Sequence, residues 1–199
     1  MVEKVLVADS QGIGPDDATL IERSRAGEPE AFGELVVRYQ DRLYNTLIRV
    51  CGDAEEARDV AQEAFVQAFV KLDSFRGNSA FYTWLYRIAQ NTAISRRRRR
   101  KPTSSLDEAR DAAGFEPADP DARPEANLER EEQAIQVRAA LATLSEEHRS
   151  VLVLREIDGC DYETIGEMLE VPVGTVRSRL HRARMQLKEE MEKRMKEEG

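Results

Sequence analysis

A chain of 199 residues with 41% hydrophobic and 34% charged residues and a net charge of −8 has room for two small domains with modest cores. No apolar run approaches the roughly 18 residues that a membrane helix needs, and the N-terminus lacks the charged-then-apolar pattern of a signal segment, so a cytosolic protein without membrane insertion is expected. Cys51 and Cys160 stand alone, without CxxC spacing or histidine partners, which argues against a disulfide framework or a zinc site and predicts two ordinary thiols.

In chain order, residues 1–16 read as a tail, and Asp16 or Asp17 can cap a short helix that runs through Arg25 and stops at Gly27. Pro29 suits a helix start, after which Phe32, Leu35, Val36, Tyr39, Leu43, Leu47 and Val50 form a long apolar stripe closed by Gly52. Asp53 caps a third helix whose core face is Ala57, Val60, Ala61, Ala64, Phe65, Ala68 and Leu72. Asp59, Gln62 and Glu63 project from another face at i, i+3 and i+4. A polar turn over Asp73 to Ser79 leads to a fourth helix from Ala80 to about Arg99, with Phe81, Trp84, Leu85 and Ile88 inward.

Pro102 ends that helix. The stretch from residue 103 to 131, acidic, poor in apolar residues and containing Pro117, Pro120 and Pro124, reads as an extended linker between residues 17–102 and 132–199. Helical spacing then returns with Ile135, Val137, Leu141 and Leu144. Ser145 caps the next helix, with Glu146 and Glu147 in its first turn and Gly159 as its stop. No strand-like alternation appears in either block, so the expected fold is all-α: two small helical domains joined by the acidic linker.

The net negative charge argues at first against a nucleic-acid binder, but binding follows local clusters rather than the sum. Basic residues gather in Arg96 to Lys101 and Arg177 to Arg184, while acidic ones dominate Asp53 to Glu63, Asp107 to Glu131 and the C-terminal tail.

The clearest motif lies near the C-terminus. Tyr162, Ile165 and Leu169 fall at helical spacing, Val171-Pro172-Val173-Gly174 breaks the pattern, and a second helix opens at Thr175, which is the form of a helix-turn-helix. Val176, Leu180, Ala183 and Leu187 make the packing stripe of that second helix. At roughly 100° per residue, Arg177, Ser178, His181 and Arg182 then lie on the opposite face, in the first turns, where recognition helices meet base edges. Gly166 supplies a small residue that lets the two helices approach. Taken alone, an Arg-rich amphipathic helix is an ordinary solvated face; the preceding helix and turn make the recognition reading the stronger one.

A second constellation runs from Phe75 to Asn91, where a polar loop, five aromatics and a basic helix end come together. Aromatics interleaved with arginine are what stacking on unpaired bases requires. Phe81 and Trp84 fall on core spacing and read as packing residues, whereas Phe75, Asn78 and Tyr82 are less committed. Arg96, Arg97, Arg98, Arg99, Arg100 and Lys101 read either as a phosphate patch or as a solvated helix end.

The run Asp59-Val60-Ala61-Gln62-Glu63-Ala64-Phe65, with Ser74-Phe75-Arg76-Gly77, Ala80 to Ala89 and Asn91-Thr92, resembles region 2 of the bacterial extracytoplasmic-function sigma factors. The run Pro172 to Leu180, with Arg182-Ala183-Arg184, resembles their region 4. The likeness is nearest to the RpoE-like subgroup and spans both blocks in order, from about Asp17 to Leu187. It implies an initiation subunit of RNA polymerase. Asp59, Gln62 and Glu63 would meet the clamp helices of the largest core subunit, and region 4 would meet the flap. Phe75, Asn78, Ser79, Ala80 and Asn91 would capture an unpaired base of the minus-10 element, and Thr175, Arg177, Ser178, His181 and Arg182 would read the minus-35 element. The resemblance also implies promoter DNA and an anti-sigma factor as partners, a stress- or signal-responsive regulon, and no cofactor.

Three other function classes remain. A stand-alone helix-turn-helix regulator would share the C-terminal block but leave the aromatic loop and the long linker without a use. A helical adaptor that binds only protein would have no use for Arg177 and Arg182 on one face. An enzyme is least expected, because no nucleophile elbow, phosphate loop or metal-ligand spacing occurs.

Overall fold

The computed structural model describes residues 16–100 and 135–197, the side chains of residues 100, 195 and 197 excepted. The expected tail over 1–15, Lys101 and the expected linker over 103–131 lie outside the described residues. The described residues form helices and the turns between them, without strands. The elements are α1 (Asp17–Arg25), α2 (Pro29–Cys51), α3 (Ala54–Val70), a 3-10 turn (Leu72–Ser74), α4 (Phe81–Arg100), α5 (135–143), α6 (Glu146–Leu152), a π turn (Val153–Ile157), α7 (Tyr162–Leu169) and α8 (Val173–Glu197). No helix of the described residues is long and apolar enough to cross a membrane.

Local chemistry sets most of these boundaries. The carboxylates of Asp16, Asp53 and Asp161 accept the amide of the third residue beyond each, at 2.8, 2.5 and 2.7 Å, so three helix starts have an orphan donor satisfied. Ser145 caps α6 in the same way. Gly52 ends α2 at φ +78° and returns its amide to Ile48, the left-handed exit that glycine allows.

The α2–α3–α4 unit is built on the stripes that the spacing predicts: Leu35, Leu43 and Leu47 of α2, Val60 and Ala64 of α3, and Phe81, Leu85 and Ala89 of α4 are all buried. Small residues at 57, 61, 64 and 68 let α3 lie close to its neighbours. In the C-terminal unit, Val176, Leu180 and Ala183 of α8 pack on Ile165 and Met168 of α7 and on Val151 and Leu154.

Three expectations need correction. Ile135 and Val137 follow helical spacing, yet they stand 58% and 40% exposed, and only Ala140, Leu141 and Leu144 of that stretch are buried. Gly166 is required not by the neighbouring helix but by the turn. A Cβ there would stand 2.9 Å from the Val171 carbonyl, because the chain folds back so that the Val171 amide bonds Gly166 O at 3.0 Å. The helix predicted to run unbroken to Gly159 instead widens into a π turn after Leu152, with the Asp158 amide reaching Val153 O at 3.1 Å.

Candidate nucleic-acid interface

The 3-10 turn and the loop after it form one wall of a cleft of about 370 Å³, and the exposed side of α4 forms the other. The loop is held from below by Arg25 of α1, whose Nη2 donates to Leu72 O at 2.8 Å and also to Phe75 O. That clamp, from a residue passed over in the sequence, fixes the loop backbone against the helical unit. Gly77, at φ +71°, turns the loop where a side chain would be strained. Asn78, Ser79 and Asn91 line the cleft, and Ala80 is exposed.

Phe75 is only 8% exposed and packs edge-on to Phe81 and tilted against Trp84, with centroids 5.9 and 5.1 Å apart. It therefore forms the floor of the cleft rather than a free stacking plate. Trp84 is half-buried and does line the cleft, together with Arg87. Reading Trp84 only as core, and passing over Arg87, missed a helical stripe legible in the sequence: 84, 87, 88 and 91 share one face at i, i+3, i+4 and i+7. Tyr82 is buried, its hydroxyl pushed above the usual phenol range mainly by burial.

The basic end of α4 divides into two pairs. Arg96 reaches back to α3, with Nη2 at 2.5 Å from Asp59 Oδ2 and Nη1 at 3.3 Å from Glu63 Oε2. Arg97 pairs with Glu56 at 3.5 Å and with Glu146. Arg98 and Arg99 are exposed, and neither pairs with a carboxylate among the described residues. Of the polar trio on α3, Gln62 is exposed, while Asp59 and Glu63 are half-buried and tied to Arg96. The same outward face continues through Val66, Phe69 and Val70, which are 60%, 48% and 76% exposed.

On α8, the expected sorting of side chains is visible in their partners. Arg179 pairs with Glu147 at 2.9 Å and Arg184 with Glu156 at 2.5 Å, so these two cations are committed within the C-terminal unit. Arg177, Ser178, His181 and Arg182 are exposed on the other side; α8 begins at Val173, two residues before the expected Thr175, which lies half-buried in its first turn. Among the described residues neither Arg177 nor Arg182 pairs with a carboxylate, and the Arg177 guanidinium lies 5.8 Å from the Tyr162 ring centroid. Cys51 and Cys160 are free thiols, and burial raises both, Cys51 to about 12.

The chain matches two family descriptions, Sigma-70 region 2 over residues 35–103 and Sigma-70, region 4 over residues 134–187. It is 47% identical over 174 residues to the RNA polymerase sigma-H factor of Pseudomonas aeruginosa, covering 84% of this chain and 90% of that protein. The ECF RNA polymerase sigma-E factor of Escherichia coli strain K12 is 44% identical over the same shares. Among solved structures, CnrH in complex with the cytosolic domain of CnrY superposes with a TM-score of 0.62 at 28% identity, covering 86% of this chain and 94% of that one.

Proposed function

This chain belongs to the extracytoplasmic-function sigma factors, promoter-specificity subunits of bacterial RNA polymerase, and from that premise we propose how its surfaces divide the work. The observation that carries the reading is the presence in one chain of two unlike surfaces, each suited to nucleic acid. One is a cleft walled by Trp84, Arg87, Asn78 and Asn91; the other is a helix face presenting Arg177, His181 and Arg182 without carboxylate partners among the described residues.

The cleft is sized and lined for an unpaired base of the minus-10 element, with Trp84 offering a ring edge and Asn78, Ser79 and Asn91 offering polar partners. Arg98 and Arg99, with Arg100 and Lys101 following, meet phosphates without reading sequence. Region 4 sets Arg177, Ser178, His181 and Arg182 into the major groove of the minus-35 element, Thr175 marking the entry of the helix. Duplex stacking is worth roughly 1.4 kcal/mol per step, and stacking one captured base returns about 1–3 kcal/mol. Opening several base pairs is therefore beyond this chain alone, and core polymerase must hold the promoter.

The docking face for the clamp helices of the largest core subunit is Asp59, Gln62 and Glu63 together with Val66, Phe69 and Val70. An exposed apolar group beside polar ones is the composition of a protein interface rather than of a solvated helix. Region 4 docks on the flap. The chain works in the cytoplasm beside the nucleoid, contributes recognition rather than catalysis, and serves a signal-responsive regulon. That CnrH is solved in complex with the cytosolic domain of CnrY supports a protein partner for this chain as well, one of the anti-sigma class. A stand-alone helix-turn-helix regulator leaves the cleft and the α3 face without purpose.

The test is reconstitution. Added to purified core polymerase, the chain should direct run-off transcription from a promoter library with selection at both elements. Initiation without element preference, or none from a folded chain that co-purifies with core, counts against the reading.

A further inference from the structure

We propose that Arg25 of α1 is a positioning residue for base capture: from outside the cleft it holds the loop that offers Asn78 and Ser79 in its receptive shape, which rests on the reading of that cleft as the base-capture site. The match to region 2 begins at residue 35, so α1 lies outside the stretch that the family description covers. Helix α1 thereby joins the recognition machinery.

The tip of the loop has little to hold it. Among the described residues, Arg76, Gly77, Asn78 and Ser79 make no hydrogen bond. The order of the tip is therefore set at its two ends. On the far side Ala80 O accepts the Trp84 amide at 3.2 Å and is fixed by the first turn of α4. On the near side the Phe75 amide closes the 3-10 turn on Leu72 O at 3.1 Å, after which the chain runs extended and the Phe75 carbonyl leaves helical pairing. Arg25 takes both carbonyls. Its Nη2 donates to Leu72 O at 2.8 Å and to Phe75 O, and its Nε reaches Leu72 O at 3.3 Å. One planar cation thus fixes the direction in which the chain leaves Phe75, while the Phe75 ring is held separately by Phe81 and Trp84.

The support behind Arg25 is rigid. Asp16 caps α1, and Leu20 and Ile21 are buried. Asp17 Oδ1 accepts Arg38 Nη1 at 2.6 Å, and its other oxygen takes the Tyr39 hydroxyl. Tyr39 in turn lies against Phe81 and Tyr82 of α4, with centroids 5.5 and 5.8 Å apart. Helix α1 is thereby tied through α2 to the helix that forms the opposite wall of the cleft, and Arg25 sets the loop relative to Trp84 and Asn91. Pre-organisation of this kind raises affinity by removing the ordering cost from the binding step. Arg25 itself is exposed, so it can be changed without opening the core.

The test uses holoenzyme assembled from core polymerase and the full chain, with three fluorescein-labelled probes. These are the single-stranded non-template segment of a promoter selected by run-off transcription, the same segment with its minus-10 element scrambled, and a minus-35 duplex. Arg25→Ala should bind the first probe about three- to tenfold more weakly and lose preference over the scrambled segment, and Arg25→Lys should recover part of the loss. Core recovery and minus-35 binding should stay at wild-type values, which a general loss of fold would not allow. In the free chain, acrylamide should quench Trp84, the single tryptophan, more readily in Arg25→Ala, since the Phe75 ring is no longer held against it. Asn78→Ala combined with Asn91→Ala tests the cleft itself. Weaker binding by that variant, with Arg25→Ala at the wild-type value, refutes the clamp. Equal loss by Arg25→Ala on all three probes makes Arg25 a structural residue only and also refutes it. Wild-type affinity in the double Asn variant overturns the reading of the cleft, and the role of Arg25 falls with it.

Discussion

Arg96 and Asp59, 37 positions apart, are joined at 2.5 Å between α4 and α3, and Glu63 completes the fork at 3.3 Å. The two carboxylates proposed to meet core polymerase are thus held in place by a cation from the helix proposed to meet DNA. Replacing both, as Asp59→Arg with Glu63→Arg, should cut recovery of core subunits in a pull-down at least about tenfold. Reversal also sets two cations against Arg96, so the fold of the variant is checked by thermal denaturation beside the pull-down. Undiminished recovery from a folded variant would sink the assignment. Gln62→Arg, which disturbs no ion pair, should give the same loss of core.

The division within the basic run predicts unequal salt behaviour. Each phosphate contact contributes about 0.9 to the slope of log affinity against log salt. Arg98→Gln and Arg99→Gln in holoenzyme should therefore each flatten the slope by up to about one unit, equally for intact and mutant minus-10 elements. Arg96→Gln and Arg97→Gln, whose guanidinium groups are occupied by Asp59, Glu63, Glu56 and Glu146, should change it little. Equal slopes for all four variants would refute the division.

Arg177→Ala should lower holoenzyme affinity for an intact minus-35 template by about 1–3 kcal/mol and leave a scrambled template nearly unaffected, the mark of a bidentate contact to guanine. Tyr162→Leu, which removes the ring near Arg177, should show the same selectivity at smaller size. An equal loss on both templates would make Arg177 a phosphate contact.

Two glycines of the helix-turn-helix should respond with opposite sign. Gly166→Ala drives a methyl group to 2.9 Å from the Val171 carbonyl and should destabilise the fold by about 1–3 kcal/mol. Gly174 sits in α8 with open space around it, so Gly174→Ala should stabilise by about 0.4–1 kcal/mol through the unfolded chain. Thermal denaturation of both variants decides; a neutral Gly166→Ala would show that the turn can shift.

The packing of Asp158 against α2 should depend on pH. Burial raises its carboxyl above the usual value, against the hydrogen bond from Thr46 and the nearby Arg42 and Arg49, which lower it. Tyr82 and Cys160 also face this group, both with acidities weakened by burial. A raised value means that the folded state binds the proton more tightly. The contribution is therefore full below the ordinary carboxyl value near 3.8 and is lost as pH rises through the raised one. In thermal denaturation at mildly acid and neutral pH, Asp158→Asn should remove that part of the pH dependence. A wild-type response that persists in Asp158→Asn assigns the effect to another group.

Most helices and several of their starts were legible without coordinates because the interactions that make them span four residues or fewer. Asp16, Asp53 and Ser145 each cap an amide three positions on, as Asp161 does too. The stripes of α2, α3 and α8 face inward as their spacing requires, and the outward face of α8 follows from the same geometry. What the sequence could not determine is set by how the helices pack. Phe75 becomes a floor where Arg25 of α1 holds the loop backbone and Trp84 of α4 packs against its ring. Ile135 and Val137 stay exposed because burial needs a neighbour as well as a pattern. Arg96 and Arg97 spend their charge on carboxylates brought near by α3 and α6, and Glu170 meets Arg87 only where α7 lies on α4. A side chain's spacing fixes which way it points, whereas its partner depends on long-range packing that residue spacing does not encode.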